Sequence, residues 1–568
     1  MNDHRNMILA IVLSAFVLFG WGFVTEHWFP AANPPATKTV DGKQVPLPKP
    51  QADPALDGPG IAQARQAAIG ASPRIKIDTP RLQGTVNLRG ARIDDLVLIT
   101  HEESLAGNAD PVRLLSPGGS RDAYFASFGW SGQGLVGPGP DTVWTASGTT
   151  LTPATPVTLS WDNGRGQVFQ IRFSVDEGYL FTVQQRIANR SGGAVAARPW
   201  SLISRARAST DPDSWTSHVG PVGVFNGAAE YGSNYSDIVE SGDKSFSSNG
   251  GWLGFGDKFW LTALIPDQRT QSEAAFRKGG SGGFQADVAA PAAMVAPGHA
   301  STYQSRFFAG AKEIGLLETY SNQLGTELER AIDWGYFRWF MKPIFALLNW
   351  LYTHIGNFGL AIICLTLIVR ALMFPIAQKQ FRSMAAMRVL QPKMKALQER
   401  HKEDKPRLQQ EMLKLYQEEK VNPVAGCLPI LLQIPIFYAL YKVLMLSVEM
   451  RHKPFALWIK DLSAPDPLTP VNLFGYLPFT PPHFLAIGVL PIILGVTMWL
   501  QFRMQPVQDP VQKQVFGLMP WVMMFVMAPF AAGLVVYWIT NNILTILQQK
   551  WLYSRHPGMR EATAAEAK

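Results

Sequence analysis

Gly359-Leu-Ala-Ile-Ile-Cys-Leu-Thr-Leu-Ile-Val-Arg-Ala-Leu-Met-Phe-Pro375 is the stretch that decides the class of this chain. Extended to 358–377, it predicts a helix of about 20 residues, the length needed to cross the ~30 Å hydrocarbon core of a bilayer. Its conspicuous charge is Arg370. An arginine near the centre of a span costs about 2.5 to 3.5 kcal/mol on insertion scales, so it should face water, protein or a partner rather than lipid. Two readings stay open. The side chain either snorkels to the headgroups from about two turns short of Gln378, or it is a functional charge within a bundle.

Working outward, apolar runs at 7–24, 425–448, 484–502, 515–528 and 531–552 complete a set of six predicted spans. The run 7–24 follows a short polar start carrying Arg5, and no convincing small-x-small cleavage site follows it, which favours a signal anchor over a removed signal. Ala528-Pro529 before Gly533 is the only sign that the last long apolar stretch divides in two; a single kinked span is the alternative. Trp334, Phe337, Trp339 and Phe340, mixed with Arg338 and Lys342, predict a helix lying in the membrane interface over 331–356. The segment between the second and third spans carries 11 Lys and Arg against 6 Asp and Glu. Cytoplasmic loops hold such an excess, so both termini are expected inside and the large segment 31–330 outside.

The averages conceal this division. The 568 residues are 47% hydrophobic and 17% charged with a net charge of +8, and the mean hydropathy is +0.02. Soluble domains carry about 25% charged residues, which makes an all-soluble chain a poor reading. Both cysteines, Cys364 and Cys427, lie in apolar runs, so the polar half has neither a disulfide framework nor a cysteine metal site.

That polar half reads as β structure. After a Pro- and Ala-rich linker at 31–72 come Thr85-Val-Asn-Leu-Arg-Gly, Val157-Thr-Leu-Ser-Trp, Val168-Phe-Gln-Ile-Arg-Phe-Ser-Val, Tyr179-Leu-Phe-Thr-Val-Gln-Gln-Arg-Ile and Phe259-Trp-Leu-Thr-Ala-Leu-Ile. Period-two alternation between turn residues predicts antiparallel strands and a large β-sandwich. Ile314, Leu317, Tyr320 and Leu324 then recur at helical spacing and predict a connector to the membrane part.

Polar residues gather on several spans. Thr366 lies one helical turn before Arg370, Gln433 sits between Pro429 and Pro435, and Tyr537, Thr540, Asn541 and Asn542 cluster in the last run. Helix–helix hydrogen bonding is one reading; a water-accessible groove around Arg370 is the other. In the basic segment Met384, Met387, Leu390, Met394 and Leu397, then Leu408, Met412 and Leu415, predict a helical hairpin that also presents Arg388, Lys393 and Lys395. The methionine stripe reads as hairpin packing or as a surface for varied apolar partners. Basic residues there suit lipid phosphates, ribosomal RNA or an acidic partner.

Several chemistries lack their motifs. No GxxxxGK[ST] loop and no HExxH occur, and His101, His218 and His299 stand isolated in the sequence. No second charge in a span presents itself for ion coupling, which disfavours a solute transporter. A tethered carbohydrate-binding or mutarotase-like module would explain the β half, yet it lacks a persuasive catalytic pair.

Arg370-Ala-Leu-Met-Phe-Pro, Met384-Ala-Ala-Met-Arg-Val-Leu-Gln-Pro-Lys, Lys420-Val-Asn-Pro-Val-Ala-Gly-Cys-Leu-Pro, Gln433-Ile-Pro-Ile-Phe-Tyr-Ala-Leu-Tyr, Pro454-Phe-Ala-Leu-Trp-Ile-Lys-Asp-Leu-Ser and Gly533-Leu-Val-Val-Tyr-Trp-Ile-Thr-Asn-Asn occur in this order. Over 331–552 the chain thereby resembles the YidC/Oxa/Alb family of membrane protein insertases, and its N-terminal half resembles the Gram-negative form with a large periplasmic domain. The resemblance implies an α-helical polytopic inner-membrane protein of six transmembrane helices with a periplasmic β-supersandwich. It implies a hydrophilic groove holding Arg370 and Thr366, with Trp538 at a position commonly tyrosine, beside Tyr537. Tryptophan keeps the ring and a donor but not the hydroxyl. The hairpin corresponds to a loop that recruits substrate. Implied partners are nascent membrane proteins, the Sec translocon and its accessory subunits, the ribosome, the signal recognition particle receptor and phospholipid, with no DNA, no metal, no cofactor and no enzymatic activity. The expected division is 1–30 anchor, 31–72 linker, 73–330 β domain with connector, 331–356 interfacial helix, 357–552 core with hairpin 378–424, and 553–568 cytoplasmic tail.

Overall fold

The computed structural model describes residues 38–40, 43–45, 65–105, 108–211, 218–279, 283–335, 338–401, 404–419, 428–477, 486–504 and 510–555. The expected N-terminal anchor, most of the linker and the C-terminal tail lie outside the described residues.

Among the described residues two large sheets form the β domain, one of nine strands and one of eleven. In the nine-stranded sheet Leu180–Asn189 pairs antiparallel with Gln167–Val175 on one side and Ala300–Ala311 on the other. Gln167–Val175 alternates inward Phe169, Ile171 and Phe173 with more exposed residues, as a strand with one buried face must. Tyr124–Ser131 in the eleven-stranded sheet supplies the opposing layer. Phe128 meets Phe173 and Phe307 edge-on at centroid distances of 5.7 and 6.3 Å, and Trp130 meets Phe169 at 5.1 Å. These edge-to-face contacts across the sheets are the centre of a sandwich core. A polar tie crosses it where buried Gln185 Nε2 donates to the Gly129 carbonyl at 2.7 Å. Gly129 itself makes room for Trp200, whose ring would lie 2.4 Å from any Cβ at that position. Two short helices decorate the sandwich, α1 (Arg65–Gly70) and α2 (Tyr235–Ser241), the second closed by an Asn234/Asp237 capping box. Four of the quoted alternating runs coincide with strands to within a residue, whereas the run from Thr85 leaves its strand at Asn87 and turns over 88–90.

The connector forms α3 (Ile314–Leu324), burying Ile314, Leu317 and Tyr320. Next comes α4 (Arg338–Ile355), which buries Met341, Ile344, Phe345, Leu348 and Leu351 along one stripe and leaves Trp339 and Trp350 exposed. The bundle follows: α5 (Phe358–Arg400), α6 (Lys405–Glu418), α7 (Leu428–Leu446), α8 (Val489–Arg503), α9 (Pro510–Met527) and α10 (Ala532–Arg555). The helix does break at 528–531, separating α9 from α10. One expectation changes: the second predicted span and the first arm of the hairpin are a single helix of 43 residues. No glycine, asparagine or aspartate interrupts 371–400, and Ala, Met, Leu, Gln, Lys and Arg dominate it, so propensity carries the helix onward despite Pro375 and Pro392.

Among the described residues one helix segment, Phe358–Gln378, is long and apolar enough to cross a membrane; Gln433–Leu446, Val489–Arg503 and Gln514–Met527 are apolar but shorter. The segments 420–427, 478–485 and 505–509 that adjoin these shorter helices lie outside the described residues.

Candidate functional site

The bundle converges on α10, whose polar residues are met from three other helices. Tyr537, Asn541, Thr545 and Gln549 follow one another at intervals of four and so form a stripe along one side. From α5, Arg370 Nε donates to Asn541 Oδ1 at 2.8 Å, while Nη2 donates to Thr545 Oγ1 at 2.5 Å and to the Asn541 carbonyl at 3.3 Å. Thr545 in turn donates to that carbonyl at 2.6 Å, which fixes its lone pairs toward the arginine. From α7, Gln433 Nε2 donates to the Tyr537 hydroxyl. From α8, Thr497 accepts from Asn542 Nδ2 at 3.3 Å.

Every acceptor of Arg370 is neutral, and no carboxylate pairs with it among the described residues. Its geometry is therefore satisfied while its charge is not neutralised. Further along the stripe Gln548 Nε2 and Gln549 Oε1 are buried without a hydrogen-bond partner among the described residues. Buried polar atoms are ordinarily paired, so this end of the seam is under-satisfied among the described residues.

The other expected residues distribute unevenly. Thr366 is 1% exposed and its hydroxyl donates to the Ile362 carbonyl at 2.7 Å, so it is spent within its own helix and makes no bond to Arg370. Trp538 packs edge-on against Phe437 at 4.9 Å, next to the Gln433–Tyr537 bond. In the hairpin, Lys393 pairs with Glu419 at 2.7 Å, Met394 is buried against Tyr416, and Met412 is half-buried. The side chains of Met384, Met387, Arg388 and Lys395 lie outside the described residues.

Sequence reasoning passed over two residues, Thr545 and Lys442, and one tie. Asn541 was visible in its cluster, but its tie to Arg370 was not. Thr545 is a single threonine in a helix, which ordinarily bonds its own backbone. Lys442 corrects the expectation that no second charge lies in the spans: it is buried in α7, donating to the Asp333 carbonyl at 2.7 Å and lying 3.3 Å from its carboxylate. An apolar run from Ile434 to Leu446 with one lysine was the available signal.

His101 is likewise not isolated. Its Nε2 lies 3.4 Å from the Tyr179 hydroxyl and 3.7 Å from Glu313, whose carboxylate also takes Arg81 Nη1 at 2.7 Å and the Tyr179 hydroxyl at 2.9 Å. Burial pushes the Glu313 carboxyl upward, but the hydrogen bonds from His101, Arg81 and Tyr179 prevail and hold it at about 2. With Glu313 so engaged, the first amide of α3 is capped from elsewhere: Ile314 N donates to Glu449 Oε1 at 2.8 Å, from the segment after α7. Arg451 adds bonds to the Glu102 and Glu103 carbonyls at 2.6 and 3.1 Å. The β domain and the bundle thus share a polar joint. Among the described residues no group of three His, Cys, Asp or Glu side chains is placed to hold a metal.

An apolar bundle with a cation on its polar seam, joined to a two-sheet sandwich, is the layout of a helical membrane protein with a large β domain. Residues 350–559 match the family model described as 60Kd inner membrane protein, and residues 74–347 match that of the YidC periplasmic domain. A membrane protein insertase YidC of Zymomonas mobilis subsp. mobilis is 48% identical over 560 residues, covering 98% of this chain and 96% of that protein. One of Beijerinckia indica subsp. indica is 43% identical over 584 residues, covering 98% and 96%. A crystal structure of an active YidC insertase with its first transmembrane domain resolved aligns at TM-score 0.35 and 18% identity, covering 84% of this chain and 92% of that one. The chain belongs to the YidC family of membrane protein insertases.

Proposed function

We propose that the protein inserts other proteins into the bacterial inner membrane and assists their folding, alone or beside the Sec translocon and its accessory subunits, without a cofactor. In this reading 1–30 is an anchor, 31–72 a linker, 73–330 the periplasmic domain with its connector, 331–356 an interfacial helix and 357–552 a core that completes six spans, with the 553–568 tail and both termini cytoplasmic. The basic hairpin 378–424 receives the nascent chain, from the ribosome or through the signal recognition particle receptor, with Met384, Met387, Met394 and Met412 as adaptable apolar contacts and Arg388, Lys393 and Lys395 as charges.

The seam around Arg370, Thr366, Gln433, Tyr537 and Trp538 then receives the polar flank of the substrate. A hydrated seam lowers the cost of desolvating that flank, which in bare hydrocarbon runs to several kcal/mol for each unpaired backbone group. Release of the apolar segment into lipid supplies the driving force, about 0.8 kcal/mol for each buried CH₂. No nucleotide is required in this balance. The observation that carries the proposal is the Arg370 guanidinium, held by neutral oxygens of α10 with no carboxylate against it among the described residues and so able to attract acidic residues of a translocated tail.

The test is insertion of family-dependent substrates into proteoliposomes by Arg370→Ala and Arg370→Lys proteins. Loss with alanine, and partial recovery with lysine for substrates bearing acidic tails, is the expected result. Wild-type rates for every substrate with Arg370→Ala would sink the groove-charge reading.

A further inference from the structure

The segment joining α7 to α8 is tied to one end of the bundle. Asn357, which caps α5, donates Nδ2 to the Phe455 carbonyl at 2.8 Å. At the start of α10, Ala532 N and Gly533 N donate to the Ala464 and Leu462 carbonyls at 2.8 and 2.9 Å. At the start of α8, Val489 N reaches the Leu468 carbonyl at 3.0 Å and Leu490 N reaches Asp466 Oδ2 at 2.7 Å. The same Asp466 carboxylate accepts from Trp458 Nε1 at 2.9 Å and from Leu468 N at 3.0 Å. Three helix N-termini are thereby gathered under one loop, at the end where α4 finishes and where Arg451 meets the β domain.

The outer part of this loop is apolar and uncovered. Val471, Leu473, Phe474, Tyr476 and Leu477 are exposed, and Tyr476 and Leu457 reach 89%. No Asp, Glu, Lys or Arg occurs over 467–477. The backbone is also unusual, with φ of 56° at Leu457, 49° at Leu473 and 61° at Phe474. Glycine, asparagine and aspartate are the low-cost occupants of that left-handed region. The other non-glycine residues found there among the described residues are Ala91, Asn226, Glu327 and His452, none a bulky aliphatic or phenyl side chain. Among the described residues, only in this loop do large apolar side chains take strained positions and then stand exposed. Neither backbone preference nor water favours that choice, whereas a lipid surface does.

We infer that 470–477, with Leu457 beside it, is a wedge that enters the interfacial zone of the lipid leaflet on the β-domain side. Tyr476 is its anchor, with the ring among the upper acyl chains and the hydroxyl at the headgroups. Trp339 and Trp350 of α4, the helix that ends just before Asn357, are exposed aromatics as well. The wedge rests on the membrane-embedded reading of the bundle, and the test separates the two.

In full-length protein carrying Cys364→Ala and Cys427→Ala, single cysteines are introduced as Tyr476→Cys, Leu518→Cys on the exposed face of α9, and Met294→Cys on the exposed surface of the β domain. Each is labelled with an environment-sensitive fluorophore in phosphatidylethanolamine/phosphatidylglycerol vesicles containing spin-labelled lipid. The wedge predicts a blue-shifted emission at position 476, quenched by a label just below the headgroup and spared by one near the bilayer centre. Position 518 should be quenched by the deep label and position 294 by neither. A water-like, unquenched signal at 476 with 518 quenched overturns the wedge alone, as does a signal at 476 that leaves water only when a second protein is added. An unquenched 518 overturns the embedding of the bundle, and the wedge falls with it.

Discussion

Arg370 and Lys442 are both cations set into apolar helices, and they are satisfied in opposite ways. Lys442 has a carboxylate, Asp333, and that pair ties α7 to the turn before α4. Among the described residues Arg370 has amide, hydroxyl and carbonyl oxygens only. The difference separates an ion-paired charge from one whose described partners are all neutral. Removing one partner of a buried pair costs about 3 to 5 kcal/mol; Asp333→Ala should cost less, about 2 to 3 kcal/mol, because the Asp333 carbonyl still accepts from Lys442. The Asp333→Ala/Lys442→Met double variant should recover most of the loss, which thermal unfolding of the detergent-purified proteins would read. For Arg370 the expected pattern is reversed. Thr545→Val should lower stability by about 0.6 to 1.5 kcal/mol, the value of one hydrogen bond in a helical membrane bundle, while insertion falls more steeply because the fork is no longer aimed. Arg370 was legible in the sequence as a charge in an apolar run. Its partners were not, since Asn541 and Thr545 follow 171 and 175 positions later and nothing local marks the pairing.

Elements differ in how much of them the sequence announces. Strands such as Gln167–Val175 declare themselves because one face is buried and the other is not, so alternation survives in the residues. The division between α9 and α10 was marked only by Ala528-Pro529, and the continuity of α5 was hidden because its apolar and basic halves differ in composition while sharing helix propensity. The hairpin made by the end of α5 and α6 allows a sharp comparison. Lys393 and Glu419 are both exposed, and such pairs contribute about 0 to 1 kcal/mol. Met394 is buried against Tyr416, and truncating a buried methionine costs about 2 kcal/mol or more. Met394→Ala should therefore speed amide hydrogen exchange through Lys405–Glu418, and Lys393→Ala should leave it nearly unchanged. Equal acceleration by both would assign the hairpin's cohesion to charge instead of packing.

At the scale of the molecule, the joint between sandwich and bundle is a pair of exchanged carboxylates: Glu313 turns into the β domain and Glu449 takes its place at the start of α3. Residues 135 positions apart share that cap, which explains why no sequence pattern revealed it. The Glu313 carboxyl sits at about 2 in the fold against 4.5 ordinarily, so its contribution to stability is complete above about pH 4.5 and is lost as pH falls through about 2. The melting temperature of wild type minus that of Glu313→Gln should be constant from pH 7 to 5 and shrink below that; a difference that grows on acidification would refute the arrangement. The uninterrupted α5 has a mechanical meaning as well. Its 22 residues beyond Gln378 form a stiff arm about 33 Å long. A tilt of 10° about the seam at Arg370, about 45 Å from the far end of that arm, would sweep that end through roughly 8 Å, more than one helical turn. Such a lever converts a small rearrangement where Arg370 is clasped into a displacement large enough to be felt by whatever rests on the tip, and it works equally well in the other direction.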